Sequence, residues 1–191
     1  MRVIMLAPPG AGKGTQGERI AQRYGVPHIS TGDMFREEAA RQSPTGERLR
    51  GYLNKGDLVP DDLVLELVHD RIVAAARETG GYVLDGFPRT LPQAEAAAEI
   101  GKETGTSPQA VLYLDAPPDV LIRRLGGRGE NRSDDIGDVI RHRIDVYAEY
   151  TRPLLDYYQG RGLVITIDAA QSIDDVSRAI FRALDGYAAD T

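Results

Sequence analysis

The sequence has no cysteine and no tryptophan, and only three of its 191 residues are lysine. Without cysteine, disulfides and cysteine-ligated zinc or iron–sulfur sites are excluded, so we expect no structural zinc. No apolar run approaches the length of a membrane span, and the apolar start at residues 3–7 is too short for the core of a signal peptide. The net charge of −6 argues against a general nucleic-acid binder. We therefore expect a cytoplasmic enzyme with neither a nucleic-acid nor a membrane partner.

The chain is long enough for one domain with a sizeable core, and its 41% hydrophobic and 27% charged residues are those of an ordinary globular protein. Short apolar runs alternate along it with helical patterns. This alternation predicts an α/β fold built from βαβ units, with a parallel five-stranded sheet flanked by helices. The five runs are residues 3–6, 27–30, 81–85, 110–115 and 163–168.

The spacing of apolar residues also predicts the main helices. One is expected over residues 61–76, and a longer one over about residues 135–160, where Pro153 should introduce a kink. Ser172 is expected to cap a final helix, and residues 31–60 should hold two short helices separated at Ser43. The long helix is expected to bury one stripe of side chains: Ile136, Ile140, Ile144 and Tyr147.

A glycine-rich segment, APPGAGKGT at residues 7–15, joins the first apolar run to a helix. Glycines allow successive backbone N–H groups to face phosphate oxygens, and the helix dipole favours negative charge there. Lys13 adds a mobile positive charge. The match to the pattern G-x-x-x-x-G-K-[ST] is imperfect, because Ala7 replaces the first glycine, and Gly14 displaces Thr15 by one position. The segment nevertheless predicts a phosphate-binding loop.

Two further strand ends carry polar side chains suited to a phosphate-transfer site. Asp85 ends the third apolar run, where a carboxylate can orient magnesium through water, and Arg89 follows it at the ligand-binding edge of the sheet. Thr31, Asp33 and Arg36 follow the second run. The alternative interpretations are a turn capped by Asp85 and a plain helix cap with a surface arginine at position 36.

Four motifs in order, PGAGKGTQ, ISTGDMFR, GDLVPD and LDGFPRT, resemble those of the adenylate kinases over essentially the whole chain. The resemblance implies a P-loop NTPase-type core (residues 1–29, 60–125 and 135–191) with an AMP-binding helical insertion at residues 30–59. It also implies a short lid at residues 126–134, without the long insertion that binds zinc in some relatives. The implied activity is reversible, magnesium-dependent transfer of the γ-phosphoryl group of ATP to AMP, giving two ADP, by a monomer.

The resemblance also assigns roles to individual residues. For ATP these are Gly10, Ala11, Gly12, Lys13, Gly14, Thr15, Arg124, Arg128 and the backbone of Gln171. For AMP they are Thr31, Arg36, the backbone of Asp57, Leu58 and Val59, then Gly86, Phe87, Pro88, Arg89, Gln93, Arg132 and Arg143. The catalytic set is Lys13, Arg89, Arg128, Arg132 and Arg143, and Asp85 holds magnesium through water. Arg89 is implied to grip the AMP phosphate, Gln93 to read the adenine edge, and the Phe87–Pro88 bond to be cis.

Two alternatives remain open. A UMP/CMP kinase shares the scaffold but usually has alanine where Thr31 stands and asparagine soon after the FPR triplet, so Thr31 and Gln93 favour adenine. A non-catalytic P-loop nucleotide-binding regulator would be expected to have lost some phosphate-facing arginines. Two four-residue motifs resemble those of GTPases, N-K-x-D at residues 54–57 and D-x-x-G at residues 134–137, but they occur in the reverse of the GTPase order. His28, His69 and His142 are expected to be structural or surface residues.

Overall fold

The computed structural model describes residues 1–126 and 137–189. Its five strands form one sheet in the order β2-β3-β1-β4-β5, and every neighbouring pair is parallel. The strands are β1 (Arg2–Leu6), β2 (His28–Ser30), β3 (Tyr82–Asp85), β4 (Ala110–Asp115) and β5 (Val164–Asp168). The predicted parallel α/β fold is confirmed, and the boundaries of the apolar runs differ from those of the strands by at most one residue.

Helices connect these strands and cover both faces of the sheet. They are α1 (Lys13–Tyr24), α2 (Thr31–Ala40), α3 (Pro44–Lys55), α4 (Asp61–Thr79), α5 (Leu91–Thr104), α6 (Pro118–Gly126), α7 (Gly137–Val146), α8 (Leu154–Gln159) and α9 (Ile173–Ala189). A π-helical turn, Tyr147–Thr151, follows α7 directly. No helix of the described part of the chain is long and apolar enough to cross a membrane.

Alternate side chains of each central strand enter two separate cores. Along β1, Val3 and Met5 pack in a cluster with α1 and α9, whereas Ile4 and Leu6 pack in a second cluster with α4, α5 and α8. This alternation is the period of two that an extended strand imposes on its side chains. Because both faces are buried, the strand reads as a continuous apolar run, which is why the sequence revealed it.

The strand order reverses at β1, and this point of reversal places the functional edge. The connection through α1 leads to β2 on one side of β1, whereas β4 lies on the other side. In open parallel sheets, ligands bind beyond the carboxyl ends of the strands at such a point. Here the carboxyl ends of β1 and β3 are adjacent, with Met5 paired in register with Asp85.

The segment between β2 and α4, the helical insertion, contains the two short helices α2 and α3. The side-chain oxygen of Ser30 accepts from the Asp33 N–H at 3.3 Å and begins α2, and that of Ser43 accepts from the Gly46 N–H at 3.0 Å and begins α3. Pro44 occupies the first turn of α3, where its missing N–H costs nothing. The predicted break between two short helices is confirmed at Ser43.

Two boundary predictions for helices were wrong. The helix expected to end at residue 76 continues to Thr79, because Gly80, in the left-handed region at φ 75°, supplies the C-cap three residues later. The helix expected over residues 135–160 is divided into α7, the π-helical turn and α8. The Arg152 N–H donates to the Tyr147 carbonyl, five residues back, at 2.9 Å, and Pro153, which has no N–H, follows.

The stripe predicted for this helix is only half-buried. Ile140, Ile144 and Tyr147 are each of intermediate exposure, and Ile136 lies outside the described residues. The helix borders an open cavity through Arg143 and Tyr147, so other side chains do not close over this side. The predicted cap of the last helix is confirmed: Ser172 Oγ accepts from the Asp175 N–H at 3.2 Å.

Two glycines of α3 should respond oppositely to the same substitution. A Cβ at Gly46 would lie 2.6 Å from the Arg41 carbonyl oxygen and 2.7 Å from that of Glu38, whereas a Cβ at Gly51 meets no described atom within 4 Å. We expect Gly46→Ala to lower the free energy of unfolding by about 1–3 kcal/mol through overpacking. Gly51→Ala should raise it by about 0.5–1 kcal/mol by restricting the unfolded chain. Denaturant unfolding of both variants tests this, and equal effects would contradict the close packing of α2 on α3.

Candidate active site

A cavity of about 400 Å³ lies at the carboxyl edge of the sheet, between the insertion and the start of α1. Its floor is formed by the ends of β1 and β3, and its walls by the α1 N-terminus, α2, the loop after α3, and α7. Residues predicted from distant parts of the sequence meet here. Those that line the cavity are Gly10, Gly12, Lys13, Gly14, Thr15, Arg36, Asp57, Leu58, Val59, Asp85, Gly86, Pro88, Arg89, Gln93 and Arg143.

The loop between β1 and α1 depends on glycine for its shape. Gly10 and Gly12 have φ of 89° and 93°, a conformation that L side chains rarely adopt. A Cβ at Gly10 would also lie 2.8 Å from the Leu121 carbonyl oxygen, so the loop packs closely against α6. Gly12 then precedes α1 and has no side chain with which to cap it. The first N–H groups of α1 therefore form a ready anion-binding site at the cavity.

Lys13 lies at the start of α1 and its side chain folds back over this loop. Its Nζ donates to the Ala7 carbonyl at 2.7 Å. Ala7, the residue that replaces the first glycine of the usual pattern, is 4% exposed and packs in the core with β1. Alanine at position 7 keeps the backbone carbonyl that accepts from Lys13, and its methyl group packs in the core.

The segment after β3 places a carboxylate and an arginine on the cavity. Asp85 is 9% exposed at the strand end, and Nε2 of His28 lies 4.0 Å from its Oδ2. Gly86 follows at φ 84°, and the Phe87–Pro88 bond is cis, as expected. The Arg89 Nε donates to the Gly86 carbonyl at 2.8 Å, which holds the arginine beside the turn.

Gln93 has protein partners at both ends of its side-chain amide. Its Oε1 accepts from the Arg89 N–H at 2.8 Å, and its Nε2 donates to Asp61 Oδ1 at 2.6 Å. The Thr90 hydroxyl also donates to the Asp61 carboxylate, at 3.1 and 3.2 Å. Gln93 is only 2% exposed. Gln93 borders the cavity and also supports the Arg89 backbone. Sequence reasoning missed its partner Asp61, although Asp61 is the last residue of the GDLVPD motif.

The insertion contributes charged side chains that are already paired. Arg36 Nη2 donates to Asp33 Oδ1 at 2.5 Å, within α2. Nε2 of His142 lies 2.7 Å from Asp57 Oδ1, and this contact joins the loop after α3 to α7. Both of these side chains are 40–46% exposed, so the pair contributes little to stability on its own. His142 therefore has a structural contact, in agreement with the interpretation from the sequence.

Several predicted residues lie outside the cavity lining. Thr31 is fully buried, and its hydroxyl donates to the Asp85 carbonyl at 3.3 Å, so it acts on the backbone of the site. Phe87 and Ala11 are buried in the two cores. Arg124, on α6, donates to the carbonyls of Ala169, at 2.7 Å, and Gln171, at 3.0 Å, so one predicted ATP contact lies against the backbone of the other. Arg128 and Arg132 fall outside the described residues.

The described lining of the cavity carries four cationic and four acidic side chains. Lys13, Arg36, Arg89 and Arg143 line it together with Glu18, Asp33, Asp57 and Asp85. Burial, and to a lesser extent the nearby Tyr113, raises the pKa of Tyr147, so this lining phenol stays neutral and can act as a hydrogen-bond donor. Guanidinium and ammonium groups around a glycine loop suit phosphates. Among the described residues no group of three or more histidines and carboxylates could hold a metal ion.

The fold and this edge of the sheet define a nucleotide-binding α/β protein of the P-loop class. The model of the adenylate kinase family matches residues 5–163. The adenylate kinase of Nocardia farcinica is 46% identical over 184 residues, covering 96% of this chain and 99% of that protein. Those of Kocuria rhizophila and Thermus thermophilus are each 45% identical, covering 96% and 95% of this chain and 98% and 96% of the relatives. The chain belongs to the adenylate kinase family.

The contacts of Gln93 predict a loss of stability even without nucleotide. Gln93→Leu would leave the half-buried Asp61 carboxylate and the Arg89 N–H each short of a partner, and we expect the free energy of unfolding to fall by about 1–3 kcal/mol. Gln159→Leu, at the exposed end of α8, is the matched control and should change it by less than about 0.5 kcal/mol. Chemical unfolding of the nucleotide-free proteins measures both, and a Gln93→Leu variant as stable as the control would contradict the supporting role.

Proposed function

We propose that this chain transfers the γ-phosphoryl group of ATP reversibly to AMP, giving two ADP. One observation carries the proposal: the Lys13 loop and the Arg89 loop, each a phosphate-binding element, line a single cavity. A site for one nucleotide would need only one such element. Two facing elements suit a donor and an acceptor whose phosphates meet between them, and membership of the family supports the same reaction.

The first element takes the ATP phosphates. The backbone N–H groups of residues 10–15 surround the β- and γ-phosphates, and Lys13 follows the transferred group. To reach it, Lys13 exchanges its contact with the Ala7 carbonyl for phosphate oxygens. Arg124 of α6 and the backbone of Gln171, which are in contact, take the ATP base side. The proposal also includes Arg128, outside the described residues.

The second element takes AMP. Arg89 and Arg36 hold its phosphate, and the adenine lies against residues 57–59 and Gln93, all of which border the cavity. Thr31 and Phe87 shape this site from within the protein, through the Asp85 carbonyl and the core. Arg143 of α7, and Arg132 outside the described residues, neutralise charge between the two nucleotides. Phosphoryl transfer asks little covalent chemistry of a protein, so positioning and neutralisation of charge account for catalysis.

The donor groups at the end of β3 fit a hydrated magnesium ion. Asp85 offers carboxylate oxygens on the cavity floor, and magnesium prefers oxygen ligands and retains several waters. Asp85 would hold the ion through water while ATP phosphate oxygens complete its shell. When bound, magnesium neutralises charge on the phosphates.

As finer points of the same proposal, the enzyme works as a monomer in the cytoplasm and carries no zinc.

The base of the acceptor provides the decisive test of the proposal. With ATP and magnesium, we expect phosphorylation of AMP to exceed that of UMP, CMP and GMP by about 10²-fold or more in kcat/KM, because a polar site fitted to adenine leaves groups unpaired against other bases. A coupled assay of ADP formation across the four acceptors measures this. Comparable turnover of UMP or CMP would assign the chain to the UMP/CMP kinases, and no turnover of any acceptor would favour a non-catalytic regulator.

Lys13 should matter to phosphoryl transfer far more than to folding. We expect Lys13→Ala to lower kcat by about 10³-fold, which corresponds to about 4 kcal/mol of transition-state stabilisation. The free energy of unfolding without nucleotide should change by less than about 1 kcal/mol, the size of a typical net contribution of a hydrogen bond. Lys102→Ala, at an exposed pair with Glu99, is the control and should retain wild-type kinetics. An active but unstable Lys13→Ala variant would contradict the role of Lys13.

A further inference from the structure

We propose that Thr151 is a positioning residue for Arg89, an inference that rests on the proposed binding of the AMP phosphate by Arg89. Thr151 ends the π-helical turn after α7, and its side-chain hydroxyl donates to the Arg89 carbonyl at 2.9 Å. The two residues are 62 positions apart in the chain. Thr151 is 7% exposed, so water competes poorly for this hydrogen bond.

The contact completes a set of bonds that hold Arg89 from three sides. The Arg89 N–H donates to Gln93 and its Nε donates to the Gly86 carbonyl, each at 2.8 Å. Thr151 holds the remaining peptide oxygen. With both peptide groups and the side-chain Nε fixed, the guanidinium is directed along the cavity edge. A misplacement of about 1 Å in such a group can cost about 10²-fold in rate, so the bonds that hold the backbone bear on catalysis.

The π-helical turn explains how a residue that follows α7 reaches Arg89. Tyr150 is 46% exposed, whereas its neighbour Thr151 is buried and, like Tyr147, lines the cavity. The wide turn is closed by the Arg152 N–H to the Tyr147 carbonyl, in place of the α-helical pattern. Such turns frequently occur at functional sites, where they change the face that a helix presents. Here the turn presents a hydroxyl to the backbone of a proposed phosphate ligand.

The same helical segment also carries Arg143. This arginine lines the cavity from α7, and Thr151 follows it along the continuous run Gly137–Thr151. The segment therefore reaches the acceptor phosphate site twice, once through a guanidinium and once through the Arg89 backbone. Because Thr151 acts through Arg89, its loss should affect the AMP side of the reaction and leave the binding of ATP alone unchanged.

The test compares three threonine variants with the wild type. Thr151→Val keeps the size of the side chain and leaves the part-buried Arg89 carbonyl without its donor. We expect the KM for AMP to rise about tenfold and kcat to fall by a similar factor, while the Kd for ATP alone stays within about twofold. Thr151→Ser retains the hydroxyl and should recover most of both parameters. Thr79→Val, which removes a hydroxyl that donates to the Ala75 carbonyl at 2.9 Å at the end of α4, is the matched control and should retain wild-type kinetics.

A second measurement follows Arg89 directly, by the ¹⁵N NMR signal of its Nε–H group. We expect this signal to shift in Thr151→Val and to stay in place in Thr151→Ser and Thr79→Val. Wild-type kinetics for Thr151→Val, equal impairment of the serine variant, or an unmoved Arg89 signal would overturn the proposal. If Thr151→Val does not fold, Thr151→Ala takes its place in both measurements. Should the wild type fail to phosphorylate AMP, the proposed function fails, and the NMR comparison still decides whether Thr151 positions Arg89.

Discussion

The negative charge of phosphate requires N–H donors and cations, and the carboxyl edge of a parallel sheet can bring them together from distant segments. Most of the arrangement of this molecule follows from that requirement. The carboxyl ends of β1 and β3 are adjacent, so the segments that follow them open onto the same cavity. One segment offers backbone N–H groups and Lys13, and the other offers Asp85 and Arg89. Donors from both segments therefore face the same cavity, an arrangement suited to the negatively charged oxygens of phosphate.

The cations of this cavity have protein partners in the absence of a nucleotide. Lys13 contacts the Ala7 carbonyl, Arg36 contacts Asp33, and Arg89 contacts the Gly86 carbonyl. Such contacts limit repulsion between like charges and hold each group at the cavity. They also rely on a rigid frame, which the part-buried Gln93–Asp61 pair and the two apolar cores on either face of the sheet supply.

The fold was predictable from the sequence, and the site was predictable in part. Strands buried on both faces reveal themselves as short apolar runs, and the serine before Pro44 marked a helix start correctly. The helix over residues 135–160 was predicted with a kink at Pro153 but without the π-helical turn, because apolar periodicity does not register a single turn with hydrogen bonds between residues five apart. The stripe of that helix was predicted as buried, because periodicity cannot tell a core from a cavity wall.

The sequence by itself determined which residue types line the cavity, since the glycine loop, Lys13 and Arg89 belong to local motifs whose chemistry depends on neighbouring residues. Only the tertiary structure decided what holds them. Gln93 pairs with Asp61, His142 meets Asp57, and Thr151 donates to the Arg89 backbone. These contacts join residues distant along the chain, and hydrogen bonding is sensitive to distance and angle, so no local pattern encodes them.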